Sequence, residues 1–87
     1  MKIYRVRYTE YDGEITMEHR SECFRDKKDA ERELVELKQN VAEDAAWLYE
    51  YYGKEEIVIV DKPDRYFVTA NGSYFHYEVT VKEEYLW

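Results

Sequence analysis

Residues 26–53, DKKDAERELVELKQNVAEDAAWLYEYYG, decide how this chain folds. Within them Ala30, Leu34, Leu37, Val41, Ala45, Leu48 and Tyr52 recur at spacings of four and three. At 100° per residue they fall in a stripe about 80° wide. Asp26 offers an N-cap acceptor, Asp29 adds a favourable charge to the first turn, and Gly53 is the residue type that most often ends a helix. Together these predict one amphipathic helix of about 26 residues and about 39 Å. A helix with a single apolar face has to lie on another layer, and the flanking segments supply a sheet.

On the N-terminal side, Lys2 to Tyr11 alternates, with Tyr4, Val6 and Tyr8 on one side and Arg5, Arg7 and Thr9 on the other. That is a half-buried strand of about 33 Å, close to the helix in length. Asp12-Gly13 predicts a two-residue hairpin turn into a second alternating segment, Glu14 to Phe24. Such a turn sets Tyr8 opposite Met17 and Val6 opposite His19, with Arg7 across from Glu18 on the other face beside Arg5, Arg20 and Glu22.

On the C-terminal side, the β-branched run Ile57 to Val60 reads as a strand apolar on both faces, and Pro63-Asp64 turns the chain into Arg65 to Ala70. Asn71-Gly72 predicts a second tight hairpin, pairing Val68 with Phe75 and Tyr66 with Tyr77 on a face continued by Val79 and Val81. Phe67, Tyr74 and His76 then point the other way, and Lys82 to Trp87 either continue the strand or fray. The predicted fold is an α+β two-layer sandwich in ββαβββ order: a mixed, mostly antiparallel five-stranded sheet with one long helix across one face and a right-handed crossover. Its expected core is Tyr4, Val6, Tyr8, Met17, Leu34, Leu37, Val41, Leu48, Val68, Phe75, Tyr77 and Val79.

Eighty-seven residues make one domain, 1–87, able to bury roughly 60 to 65% of its unfolded surface. Charged residues reach 38% and mean hydropathy is −0.84, yet 45% of residues are hydrophobic and fall in periodic runs, which excludes disorder. Twenty acidic residues against thirteen Lys and Arg give a net charge of −7, which disfavours direct binding of nucleic acid. Neither a signal-peptide core nor an apolar span of membrane length is present, and a lone cysteine permits no internal disulfide, so a soluble cytoplasmic protein is expected.

Catalytic chemistry finds little support. His19 would lie about 13 Å along the same strand from Cys23, too far to activate it, and His76 could approach only through an unexpected strand order. Cys23 is therefore expected to be a buried structural thiol. Two histidines and one cysteine at these spacings match no zinc pattern, and Asp12-Gly13 lacks the ligand spacing of a calcium loop. No enzyme activity, cofactor or metal is expected.

Two surfaces remain. A helix antiparallel to the second strand ends near the first hairpin turn, gathering Glu10, Asp12 and Glu14 with Glu43, Asp44, Glu50, Glu55 and Glu56 into an acidic pole. Tyr11, Trp47, Tyr49 and Tyr51 are interleaved with these carboxylates, and Glu50 opposes the macrodipole in the last helical turn. An acidic helix face also serves plain solubility. The second surface is the uncovered sheet face, where Phe67, Tyr74 and His76, joined by Val58 and Val60 or by Ile57 and Ile59, leave apolar area for self-association or docking unless Tyr85, Leu86 and Trp87 cover it.

In size, acidity and lack of a catalytic motif the chain resembles, by composition, phage-encoded inhibitors of host nucleases such as anti-restriction and anti-CRISPR proteins. That resemblance implies a stoichiometric inhibitor whose carboxylates stand in for phosphates, while Tyr and Trp anchor it in a basic site of a nucleic-acid-processing protein. The alternative is a homo-oligomeric or adaptor module acting through the sheet face.

Overall fold

The computed structural model describes residues 1–86, so the terminal Trp87, considered above as cover for the sheet, lies outside the described residues. Its strands are β1 (Lys2–Tyr11), β2 (Thr16–Phe24), β3 (Ile57–Lys62), β4 (Arg65–Ala70) and β5 (His76–Tyr85), and its helices are α1 (Lys27–Asp44) and α2 (Ala46–Tyr52), followed by a 3-10 turn at Lys54–Glu56. The sheet runs in the order β2-β1-β5-β4-β3 with the helices across one face, an α+β architecture.

Every neighbouring pair in that sheet is antiparallel, so the expected mixture of parallel and antiparallel pairing is corrected. The helical crossover carries the chain from β2 at one edge to β3 at the other. There β3 joins β4 instead of lying beside β2, and the two terminal strands, β1 and β5, meet at the centre.

The apolar stripe behaves as its period requires. Ala30, Leu34, Leu37, Val41, Ala45 and Leu48 are buried against Val6, Tyr8, Val68, Ala70, Tyr77 and Val79, with Tyr4, Tyr52 and Phe75 partly buried at the margin. Asp26 caps α1 by accepting the Lys28 N–H at 2.8 Å. The single predicted helix is broken at Ala45 (φ −91°, ψ 1°), where the Leu48 N–H turns back to the Ala45 carbonyl. Neither Pro nor Gly marks the place. The break lies between two polar anchors on the sheet, Asp44 and Trp47, which bond Tyr8 and Tyr77. Gly53 ends α2 at φ +89°, a conformation that suits glycine.

Both hairpin registers differ from expectation. The Asp12 carboxylate accepts the N–H groups of Glu14 (2.9 Å) and Ile15 (2.8 Å), an Asx-type arrangement that lengthens the loop to residues 12–15. The longer loop sets Met17 opposite Glu10, with 56% of its surface exposed, and a further shift between Tyr8 and Thr9 puts Tyr8 opposite Arg20 and Val6 opposite Glu22. Met17 is thus outside the core. Arg7 now opposes Ser21 but still reaches Glu18 at 3.1 Å.

In the second hairpin the Ser73 hydroxyl accepts the Phe75 N–H and the Thr69 hydroxyl donates to the Phe75 carbonyl. Pairing therefore begins at Thr69 with His76, and Val68 meets Tyr77. A slip of two residues keeps each side chain on its intended face, which is why the core survives the error. Cys23 is exposed on the edge strand β2, contrary to the buried thiol expected, because it opposes Arg5 on the face the helices leave uncovered, while its neighbour Phe24 opposes Tyr4 on the packed face.

Candidate partner-binding surface

The pairing of Thr9 with Glu18 and Glu78, of Glu78 with Phe67, and of Phe67 with Val60 draws a line across all five strands. That line and the part of the molecule from it towards the first hairpin comprise residues 9–19, 43–60 and 67–78. The helical segment is held at this end by the Tyr8 hydroxyl donating to Asp44 Oδ2 (2.7 Å) and by Trp47 Nε1–H donating to the Tyr77 oxygen (2.7 Å). The 3-10 turn is held there by the Asn71 N–H on the Glu56 carbonyl.

This end holds ten of the twenty carboxylates and one of the thirteen Lys and Arg residues, Lys54. The rest of the chain holds ten carboxylates and twelve Lys and Arg. The charge is therefore segregated, with nearly all cations at the opposite end and along the boundary. Among the described residues, Asp12, Glu14, Glu43, Asp44, Glu50, Glu55 and Glu56 take part in no ion pair.

The carboxylates divide by role. Glu10 is matched to His19 Nε2 at 2.9 Å, and that imidazole lies against the Tyr8 ring, centroids 4.7 Å apart. Asp12 is occupied by the turn amides, which hold its carboxyl below the usual range. Asp44 receives the Tyr8 hydroxyl; burial and then this bond push the Tyr8 phenol far above its ordinary range. The Tyr77 phenol is raised first by burial, with the Trp47 donor pulling the other way and Glu10 and Asp44 adding to the rise. Glu14, Glu43, Glu50, Glu55 and Glu56 are exposed, and their carboxylates take part in no ion pair among the described residues.

The aromatics divide in the same way. Tyr11 is half-buried, its hydroxyl donating to the Gly13 carbonyl and its ring stacked on His76 at 5.0 Å. Tyr49 is half-buried beside Ala42, Ala46 and Tyr66 in the groove between the helices and β4. Trp47 keeps 36% of its surface exposed, packs edge-on against Phe75 at 4.8 Å and neighbours Tyr51, which is 76% exposed.

The sequence reading missed Ile15, Met17 and Tyr74, exposed apolar side chains at this same end. Tyr74 was expected on the sheet face, but the longer second loop carries it against the first hairpin. A β-carbon on Gly13 would stand 3.2 Å from that of Tyr74, so glycine is needed for this approach as well as for its φ of +101°. The first hairpin's four-residue loop is what exposes Ile15 and Met17.

On the uncovered face, Val58 and Val60 are the residues that join Phe67 and His76, by the pairing of β3 with β4. His76 sits between Tyr11 and Phe67, and the Arg65 guanidinium covers the Phe67 ring at 4.8 Å while bonding Glu78. These side chains therefore cover one another more than the sequence reading implied. Cys23 pairs with Arg5 and His76 with Tyr11, six residues apart on β1 and so about 20 Å, which removes a Cys–His pairing. Among the described residues no group of three or more His, Cys, Asp or Glu is placed to hold a metal, and no helix is long and apolar enough to cross a membrane.

No protein-family model, curated protein or solved structure matches the chain.

Proposed function

We propose that the protein is an acidic protein-binding module that inhibits a nucleic-acid-processing partner by occupying its basic site, acting as a binder and not as a catalyst. One observation carries this reading. Seven carboxylates without ion-pair partners among the described residues share one end of the molecule with the exposed side chains of Trp47, Tyr51, Tyr74, Ile15 and Met17. Carboxylates alone would serve solubility. Adjoining aromatic and aliphatic side chains add the desolvating contacts that dominate binding hot spots, while the local field steers towards Lys and Arg clusters and repels nucleic acid.

The test is competition. With the partner purified on the immobilised protein, binding of the partner's DNA or RNA is measured against increasing protein across a salt series. Mutually exclusive binding that weakens as salt rises is expected. A ternary complex, or salt-indifferent binding lost on Phe67→Lys, would instead favour a module acting through the sheet face.

A further inference from the structure

The sequence treats the two edges of the sheet differently. β2 carries Glu18, His19, Arg20 and Glu22 and is interrupted by the bulge opposite Tyr8 and Thr9. Charge and bulges are the devices by which an edge avoids pairing with another chain. β3 has neither device in its first four residues, Ile57, Val58, Ile59 and Val60, and its pairing with β4 runs in unbroken register. Val58 and Ile59 are 38% and 46% exposed and, as neighbours on a strand, lie on opposite faces, so this edge is apolar on both.

We propose that β3 pairs antiparallel with β3 of a second copy, about a twofold axis at Ile59, joining two sheets into one. Directly opposed residues in an antiparallel pair share a face, so the axis must map one residue onto itself. An axis at Val58 would set Lys54 against Lys62, and an axis at Val60 would set Glu56 against Asp64. An axis at Ile59 sets Ile59 on Ile59, Val58 on Val60 twice, and Glu56 opposite Lys62 twice. Glu56 is in line for this: it directly precedes β3, and its carbonyl accepts the Asn71 N–H at 2.9 Å, extending the ladder with the second hairpin. Among the described residues neither Glu56 nor Lys62 forms an ion pair within the chain.

The occupant is a second copy because the molecule's polarity favours it. Antiparallel docking lays the acidic end of each copy beside the cation-bearing end of the other. A six-residue edge is smaller than the roughly 800 Å² per partner of a standard interface, so association is weak and concentration-dependent. The inference rests on strand register and does not depend on what the acidic end binds.

Sedimentation equilibrium over a concentration series up to the solubility limit tests it, with circular dichroism confirming that each variant is folded. A monomer–dimer equilibrium is expected for the natural chain. Ile59→Lys, which opposes two ammonium groups at the axis, abolishes the dimer. Glu56→Lys and Lys62→Glu each raise its dissociation constant by about tenfold, and the double variant restores it. A chain that stays monomeric throughout, a dimer indifferent to Ile59→Lys, or a double swap no better than the single variants would overturn the proposal.

Discussion

The two ends of this sheet differ in build and in surface: all five strands reach the first-hairpin end, whereas β4 stops at the pairing of Arg65 with Thr80, so only β2, β1 and β5 continue to the other. At the end bearing Lys2, Arg5 and Arg20, carboxylates and cations interlock: Lys2 with Glu83, Arg5 with Glu84, Arg20 with Glu22 and Glu33. Ion pairs of this exposed kind contribute little to stability but leave little net field. At the other end seven of the ten carboxylates take part in no ion pair among the described residues, and large apolar side chains are exposed among them. Total composition would give both ends the same description. Position along the strands separates a neutralised surface from a charged, sticky one.

The largest expected effect asks whether the acidic end is packed as well as the other. Leu37 on α1 and Leu48 on α2 are both buried, so Leu37→Ala and Leu48→Ala should each cost about 2–5 kcal/mol in denaturant melts. A Leu48→Ala loss below about 0.5 kcal/mol would break the comparison. The exposed aromatics near α2 would then be loosely covered core and no surface for a partner.

A smaller effect concerns the bond that holds α1 to the sheet. Tyr8→Phe should cost about 0.5–1.5 kcal/mol at neutral pH through loss of the hydroxyl bond to Asp44. It should also change the alkaline limb. Burial raises the phenols of Tyr8, Tyr66 and Tyr77 in the folded state, so the folded protein holds these protons more tightly than the unfolded chain. Stability is then constant below the unfolded phenol value of about 10 and falls as pH rises past it. Urea melts between neutral pH and strongly alkaline pH should show a shallower fall for Tyr8→Phe. An unchanged slope would mean that Tyr8 does not carry the effect.

The fold was legible where period and local chemistry agree. The helical stripe, the Asp26 cap, the Gly53 stop and the Arg65–Ala70 strand needed no long-range knowledge. Strand order was not legible, because β1 meets β5 across most of the chain and no local pattern encodes that pairing. The hairpin registers failed for a different reason. Asp12 and Ser73 use their side chains to hold longer loops where the Asp-Gly and Asn-Gly pairs alone suggest two-residue turns.

The acidic end could be read from sequence because it needs only the direction of the helix relative to β2. Which of its carboxylates are free could not, since His19, Tyr8 and the turn amides that occupy Glu10, Asp44 and Asp12 are set by register and packing. The structure accordingly makes Asp44 a poor residue for testing a binding role. Glu43 and Glu50 are better ones: both are exposed and outside any ion pair among the described residues.

The most direct test of the central claim therefore compares two double variants of equal charge change, Glu43→Lys/Glu50→Lys at the acidic end and Glu31→Lys/Glu36→Lys towards the other. Association rates with the isolated partner are measured over a salt series, alongside denaturant melts. The acidic-end variant should slow association by roughly tenfold or more at low salt, converge with the natural chain as salt rises, and unfold no more easily, since Glu50 opposes the helix dipole. The other variant should associate at close to the natural rate. Equal slowing by both would mean that net charge alone governs binding and would contradict a site at the acidic end.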